Sequence, residues 1–287
     1  MDITIANGIE LNDGKRIPRL AFGTFDLKDG EEATTAVTCA IEAGYRHIDC
    51  ARFYGNEKGV GAALASCDVP RDELFVTSKV WNDRQIDGTV RESVEESLRD
   101  LRLDYLDLLL IHWPVAGKFV ATWRIFEQLR DEGLVRSIGV SNFQVPHLQE
   151  LLAADGAVPA IDQMERHPYL QDDETFTFCR ENGIAYEAWS PLGRGGCLDD
   201  ETIGAIAAAH GVGAAQVIIA WHMAHDVIPL PRSKNPERIR ANATILPEPL
   251  TDAEMAAIDA LDQGKPVIEG IDPQNFAPYL NALSSHF

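Results

Sequence analysis

Tyr105-Leu106-Asp107-Leu108-Leu109-Leu110-Ile111-His112 is a short apolar run that ends on an ionisable side chain. Two earlier runs have the same form: Arg46-His47-Ile48-Asp49 ends on a carboxylate, and Leu74-Phe75-Val76-Thr77-Ser78-Lys79 ends on an ammonium group. A helical pattern follows each run, which predicts consecutive parallel strands joined by crossover helices. Because neighbouring parallel strands lie about 4.8 Å apart, we expect Asp49, Lys79 and His112 to lie side by side.

Tyr54 follows Asp49 by only a short loop and can fold back over the same rim. A carboxylate, an ammonium group, a phenol and an imidazole on one rim would form a site that handles protons. Each residue taken alone has a plainer interpretation. Asp49 and Lys79 could be a buried structural ion pair, His112 a core histidine and Tyr54 a packing side chain.

The alternation of strand and helix patterns continues along most of the chain. Candidate strands lie near 20–24, 46–50, 74–79, 105–112, 135–140, 160–165, 185–190 and 227–231. Helical patterns lie near 30–43, 56–66, 87–101, 118–132, 145–154, 172–182, 200–224, 236–242 and 250–261. Eight such units predict an α/β fold, the (β/α)8 TIM barrel. An open doubly wound sheet is the alternative, but no Gly-x-Gly-x-x-Gly follows an early strand.

The two ends of the chain carry different patterns. Asp13-Gly14 lies between two short extended pieces and predicts an N-terminal β-hairpin before the barrel. The tail after Gly264 has a loop-like composition, and we expect Phe276, Tyr279 and Phe287 to pack across the barrel mouth. Residues 1–287 contain no repeat or linker, so they are predicted to form a single domain.

Charge and composition exclude several classes of protein. The chain has 45 acidic and 25 basic residues, a net charge of -20, which argues against nucleic acid and anionic membrane partners. No apolar stretch approaches the ~20 residues that span a bilayer, and no signal-like segment opens the chain. Five cysteines without metal-site spacing indicate reduced thiols in a cytoplasmic protein, expected to be a monomer. The acidity has two possible explanations. The protein could be halophilic, that is, adapted to high salt, or it could be an ordinary acidic bacterial enzyme.

Several motifs of this chain resemble those of the aldo-keto reductases. The three signature-like segments are Asp49-Cys50-Ala51-Arg52-Phe53-Tyr54-Gly55-Asn56-Glu57, Ser78-Lys79-Val80-Trp81 and Leu110-Ile111-His112-Trp113-Pro114. Further matches occur in the family's order at 137–143, 163–169, 189–195 and 228–239. The chain is similar to bacterial members such as 2,5-diketogluconate and aldehyde reductases. This resemblance implies reduction of a small aldehyde or ketone by NADPH.

The resemblance and the residue chemistry agree on the catalytic group. Tyr54 would act as the general acid, with Lys79 beside it, Asp49 holding Lys79, and a neutral His112 orienting the carbonyl. Lowering a phenol pKa from about 10 to about 7 takes roughly 4 kcal/mol. A cation about 4 Å away at an effective dielectric of 20 supplies about that much. We therefore expect Lys79 to lower the pKa of Tyr54 towards neutrality.

The cofactor is expected at the same rim. Trp189 offers a flat apolar face for a nicotinamide ring, and Ser141, Asn142 and Gln163 offer polar groups for its carboxamide. Alternatively, these three polar residues could simply cap the loops that follow the strands. The resemblance also implies cofactor contacts from Gly23, Thr24, Asp49, Ser190 and Leu192.

A basic cluster follows the eighth predicted strand of this otherwise acidic chain: Arg232, Lys234, Arg238 and Arg240. TIM barrels often bind phosphate at this position. The resemblance assigns the 2'-phosphate of NADPH to Arg232, Ser233, Asn235 and Arg238, and the adenine to Asn242. NADPH is therefore expected over NADH, which remains a disfavoured possibility.

The substrate pocket is expected to have aromatic walls from Phe25, Trp81 and Trp113, beside Tyr54 and His112. The short loop after Trp113 favours an open site for small aldehydes, dicarbonyls or keto-sugars. Nothing in the chain predicts a metal site.

Two other functions stay open on the sequence. One is a cofactor-bound regulatory protein on the same fold. The other is a metal-dependent barrel hydrolase, which would need clustered histidine and carboxylate ligands at the strand ends. His222 and His225 lie three residues apart on a predicted helix without such ligands nearby, which favours packing or surface histidines.

Overall fold

The computed structural model of the chain describes residues 8–244, 246 and 248–268. It begins with an antiparallel hairpin of β1 (Ile9–Glu10) and β2 (Arg16–Ile17). Leu11 and Ile17 are buried in one apolar cluster with Leu108 and other residues from the barrel interior. The predicted N-terminal hairpin is thus confirmed, and it closes the end of the barrel where the strands begin.

Eight parallel strands form the main sheet, in an order that follows the chain. They are β3 (Ala21–Gly23), β4 (His47–Asp49), β5 (Phe75–Val80), β6 (Leu106–Ile111), β7 (Val135–Ser141), β8 (Ile161–Glu165), β9 (Ala185–Trp189) and β10 (Val227–Pro229). The Gly23 N–H donates to the Pro231 carbonyl at 3.1 Å, which brings the last strand against the first. The predicted (β/α)8 barrel, with its eight strands, is confirmed.

Strand β6 shows how the sequence divides between the two layers of the core. Leu108 and Leu110 belong to the interior cluster, whereas Leu109 and Ile111 belong to the larger cluster between strands and helices. Successive side chains of a strand point to opposite faces, so a strand covered on both faces is mostly apolar; the exception in β6 is Asp107, which pairs with Arg71 and Arg136. All six residues of β6 are accordingly buried.

The helices that follow the strands cover the outside of the barrel. They are α1 (Glu31–Glu42), α2 (Glu57–Ser66), α3 (Asn82–Asp87), α4 (Val90–Leu101), α5 (Phe119–Asp131), α6 (Val145–Leu152), α7 (Asp173–Glu181), α8 (Glu201–His210), α9 (Ala214–Ala224), α10 (Pro236–Asn242) and α11 (Asp252–Asp259). The single helix predicted over 200–224 is wrong, because Gly211 adopts a left-handed conformation with φ 65° and ends α8.

No single helix in the described part of the chain is long and apolar enough to cross a membrane. The stretch from α8 to α9 has the required length and composition but bends by 92° between its halves. Phe276, Tyr279 and Phe287, expected across the barrel mouth, lie outside the described residues.

Candidate active site

Lys79 lies at the centre of the ionisable group expected at the carboxyl ends of the strands. Its Nζ donates to Asp49 Oδ1 at 2.6 Å, to the Cys50 carbonyl at 3.0 Å and to Tyr54 Oη at 3.3 Å. Its side chain is fully buried, and that of Asp49 is 4% exposed. Three acceptors therefore fix the three N–H groups of the ammonium ion.

Tyr54 reaches this ammonium group from a single 3-10 turn, Arg52–Tyr54. Gly55 ends the turn with φ 64°, a left-handed conformation that favours glycine and turns the chain sharply. The Tyr54 ring lies edge-on to the His112 ring at 5.7 Å between centroids. The phenol and the imidazole therefore face the same space above the strand ends, as the sequence predicted.

The pKa of Tyr54 differs from the expectation. Burial raises the pKa of Tyr54 to about 12; Lys79 lowers it and Asp49 raises it, but neither effect matches that of burial. The predicted shift towards neutrality is wrong, because the argument counted the cation but not the desolvation of a buried phenolate. Tyr54 is therefore protonated at neutral pH.

The pKa values of the two ionisable neighbours of Tyr54, Lys79 and His112, are both shifted from their ordinary values. Burial alone would lower the pKa of Lys79, but the Asp49 carboxylate, with smaller contributions from Tyr54 and Cys50, outweighs burial and raises that pKa above its ordinary value. Burial, with a smaller contribution from Lys79, holds the pKa of His112 well below its ordinary value. At neutral pH the site therefore holds a cationic lysine and a neutral imidazole, as expected.

A cavity of about 1050 Å³ opens above this group. The predicted aromatic residues Phe25, Trp81 and Trp113 all line it, and so does Phe53, which was not predicted as a pocket residue. The Phe53 ring stacks on Trp81 with 3.8 Å between centroids. Phe53 directly precedes Tyr54 in the sequence, and this position could have indicated that it lies near the pocket. The wall beside Tyr54 and His112 is therefore broad and apolar.

The predicted nicotinamide side is tied together by hydrogen bonds. The amide Nδ2 of Asn142 donates to the His112 carbonyl at 2.9 Å, and its Oδ1 accepts from Trp189 Nε1 at 2.8 Å. Ser141 Oγ donates to the Gln163 carbonyl at 2.7 Å. All four of the predicted residues line the cavity. Asn142 and Ser141 thus hold the wall in place, while Trp189 and Gln163 present a ring face and an amide.

The basic cluster is less free than the sequence suggested. Arg232 binds the Asp26 carboxylate and donates from Nε to the Phe25 carbonyl at 2.7 Å. Lys234 Nζ lies 2.9 Å from Glu32 Oε1. Arg238 lines the cavity, whereas Arg240 is not among the lining residues. Neighbouring carboxylates therefore neutralise Arg232 and Lys234. Of the other two cations of the cluster, Arg238 lines the cavity and Arg240 does not.

Two further predicted binders of the 2'-phosphate lie beside Arg238. Ser233 and Asn235 both line the cavity. The Asn235 side chain accepts from the N–H groups of Glu237 at 2.8 Å and Arg238 at 3.1 Å, so it caps α10. Its amide oxygen is therefore occupied by the helix, which leaves its amide nitrogen for a ligand.

The remaining predicted cofactor residues divide into two groups. Gly23, Ser190, Leu192 and Asn242 line the cavity. Thr24 is fully buried and its hydroxyl donates to the Asp49 carbonyl at 3.0 Å, so it lies behind the wall. A Cβ on Gly23 would lie 3.2 Å from the Leu230 carbonyl oxygen. This close approach of the two backbones, where the barrel closes, leaves little room for a side chain.

Within residues 8–244, 246 and 248–268, no group of three or more His, Cys, Asp or Glu side chains could hold a metal ion. His222 is buried with Nε2 3.3 Å from the Pro191 carbonyl, and His225 pairs with Asp259 at 2.9 Å. The two imidazoles therefore have different hydrogen-bonding partners, a backbone carbonyl for His222 and a carboxylate for His225.

Comparison with known proteins gives the family. The sequence model of the aldo/keto reductase family matches residues 19–263. The chain belongs to the aldo/keto reductases. It is 44% identical to a glyoxal reductase of Bacillus subtilis, over 93% of this chain and 97% of that protein. It is 43% identical to the methylglyoxal reductase DkgA of Yersinia pestis, over 93% and 96%.

Solved structures of aldo/keto reductases show the same architecture. One is the aldo-keto reductase of Bombyx mori in complex with NADP, which is 37% identical and superposes with a TM-score of 0.87. The match covers 94% of this chain and 97% of that one. This aldo/keto reductase therefore belongs to a group of oxidoreductases that act on carbonyl groups and use nicotinamide cofactors.

Proposed function

We propose that this aldo/keto reductase reduces small aldehydes and ketones to alcohols with NADPH, and that Tyr54 is the general acid. The observation that carries the proposal is the position of Tyr54 Oη, 3.3 Å from Lys79 Nζ at the floor of the cavity. A protonated phenol beside a cation can release its proton to a developing alkoxide, because the cation stabilises the phenolate left behind.

The residues around the cavity suit a phosphorylated dinucleotide. Trp189 supplies an apolar face, Gln163 an amide, and Arg238 with Ser233 a cation and a hydroxyl group. These groups match the chemistry of an aromatic ring, a carboxamide and a phosphate group. The NADP complex of the Bombyx mori relative supports the same assignment.

Bound NADPH would supply the hydride, and the side chains of this chain would orient the substrate and donate the proton. His112 donates a hydrogen bond to the substrate oxygen and directs it towards Tyr54. Tyr54 gives its proton to that oxygen as negative charge develops on it. Lys79 attracts the resulting phenolate by about 5 kcal/mol at 3.3 Å and an effective dielectric of 20. Asp49 keeps Lys79 charged and in place.

Small carbonyl compounds fit the aromatic wall of the cavity. Relatives named glyoxal reductase and methylglyoxal reductase share more than 40% of this sequence. We therefore propose a dicarbonyl such as methylglyoxal as the substrate class, with keto-sugars as the runner-up.

The direct test is the decay of NADPH absorbance with methylglyoxal, benzaldehyde and a diketo-sugar acid, at low and at molar salt. We expect decay with methylglyoxal, and the salt that gives the fastest rate would decide between a halophilic and an ordinary acidic enzyme. Binding of NADPH without decay for any carbonyl would instead support the regulatory protein.

Replacing Arg238 with alanine is expected to weaken NADPH binding about ten- to a hundredfold, the value of a charge-assisted hydrogen bond. NADH, which lacks the 2'-phosphate, should bind within about twofold of wild type. Arg240→Ala is the matched control, since Arg240 is exposed and is not among the residues that line the cavity. Dissociation constants from protein fluorescence would show the difference. Equal losses for both nucleotides would remove Arg238 from 2'-phosphate recognition.

A further inference from the structure

A hydrogen-bonded network lies inside the barrel, directly beneath the proposed active site. Gln163 Nε2 donates to Asp49 Oδ2 at 2.9 Å and to Glu187 Oε2 at 2.9 Å. Glu187 is 0% exposed, yet it lies on β9 two residues before Trp189, on the same face of the strand. The catalytic roles discussed above do not use this buried carboxyl group.

The two bonds from Nε2 fix the orientation of the Gln163 amide. An amide nitrogen carries two hydrogens, and two carboxyl oxygens take both of them. Nε2 and not Oε1 faces the Asp49 carboxylate, because an amide oxygen has no hydrogen to donate to a carboxylate oxygen. Gln163 lines the cavity, so its Oε1 is the atom left to accept a hydrogen bond from a ligand.

Glu187 is suited to this arrangement because it stays uncharged. Burial raises its pKa to about 8, and the charge of Asp49 adds to that effect, while Gln163 and Lys79 act against it. His47 Nδ1 lies 3.8 Å from Glu187 Oε1, and burial lowers the pKa of His47 to about 3, so the imidazole is neutral. The interior therefore balances one anion, Asp49, with one cation, Lys79, and Glu187 contributes an acceptor without a second charge.

We propose that Glu187 is a positioning residue that fixes the Gln163 amide so that Oε1 accepts a hydrogen bond from the carboxamide NH2 of the nicotinamide. The inference rests on the proposed function, in which Gln163 contacts that carboxamide. Without the Glu187 acceptor, the bond to Asp49 would still hold Nε2, but one amide hydrogen would lack a partner. The amide plane would then rotate about the remaining bond, and Oε1 would no longer be held in one direction.

The test compares Glu187→Leu with Glu187→Gln. Glutamine has the shape and hydrogen-bonding groups of a protonated glutamate, so its side-chain oxygen still accepts from Gln163; leucine offers no acceptor. The probes are NADP⁺ and its 3-acetylpyridine analogue, in which a methyl group replaces the carboxamide NH2. Calorimetric titration gives both dissociation constants without turnover.

We expect wild type and Glu187→Gln to prefer NADP⁺ over the analogue by about tenfold, the value of one hydrogen bond. In Glu187→Leu the preference should fall to within about twofold. The nucleotide 2',5'-ADP, which has no nicotinamide, should bind all three proteins alike. If Glu187→Leu does not fold, Glu187→Met replaces it, because an unbranched side chain adapts more easily to the site.

Each contrary result has a distinct meaning. A tenfold preference retained in the apolar variant would overturn the role of Glu187, and so would an equal loss for 2',5'-ADP, which would indicate general damage. A wild type that reduces carbonyls but does not discriminate between the probes would overturn the inference and leave the proposed function standing. A wild type that binds no NADP⁺ would overturn both.

Discussion

Tyr54→Phe is expected to lower kcat for carbonyl reduction by about 10²- to 10⁴-fold, the usual contribution of a general acid. The variant keeps the aromatic ring, which packs edge-on against Phe25 at 5.2 Å and His112 at 5.7 Å, and removes only the hydroxyl group. NADPH affinity should stay within about twofold, since the phenol is assigned to the substrate oxygen. Steady-state kinetics and a fluorescence titration of NADPH measure the two quantities.

The matched control is Tyr105→Phe. Tyr105 precedes β6 at the opposite end of the barrel, where its ring lies beneath Arg71 and Arg136. Loss of that hydroxyl group should leave kcat unchanged. Turnover close to wild type in Tyr54→Phe would remove Tyr54 from its role, and another group near His112 would then have to supply the proton.

On the proposed role of Tyr54 as general acid, its raised pKa also determines how the rates of reduction and of alcohol oxidation depend on pH. Reduction needs the protonated phenol, and a pKa of about 12 keeps Tyr54 protonated throughout the neutral range. Alcohol oxidation needs the phenolate, whose fraction rises about tenfold per pH unit below that pKa. We therefore expect the rate of reduction to change little with pH in the neutral range, and the rate of alcohol oxidation to rise with pH.

Much of the fold was predictable because its signals are local. Runs such as 105–112 and 74–79 are apolar, short and followed by helical patterns, and each became a strand covered on both faces. The break at Gly211 was missed because the helical pattern continues on both sides of it, and only the left-handed turn shows where α8 ends. A glycine at that position is a common helix terminus, so the signal was present in the sequence.

The parts that could not be predicted depend on distances between residues far apart in the chain. The pairing of Arg232 with Asp26 joins residues that are 206 positions apart, and the sequence shows only that both are charged. The bond from Gln163 to Asp49 joins two interior residues across the barrel. Electrostatic magnitudes were harder still, because burial decided the pKa of Tyr54 and no single residue reveals its own burial.

Lys79→Met is expected to lower the free energy of unfolding by about 3–5 kcal/mol, the cost of leaving a buried charge without its partner. Asp49 is only 3% exposed, and without Lys79 its buried carboxyl group would have lost its cationic partner and would retain the bond from Gln163. Lys58→Met is the control, because Lys58 is exposed and a surface substitution of this kind changes stability by about 0.5 kcal/mol or less. Urea unfolding followed by fluorescence measures both variants.

The double variant Lys79→Met, Asp49→Asn separates stability from catalysis. Because it removes both charges, most of the lost stability should return, as when buried ion pairs are replaced by neutral groups. Reduction should nevertheless stay at least about 10²-fold below wild type, since the phenolate loses a stabilisation of about 5 kcal/mol. A stable double variant with wild-type kcat would show that the buried pair serves the fold and that Tyr54 donates its proton without it.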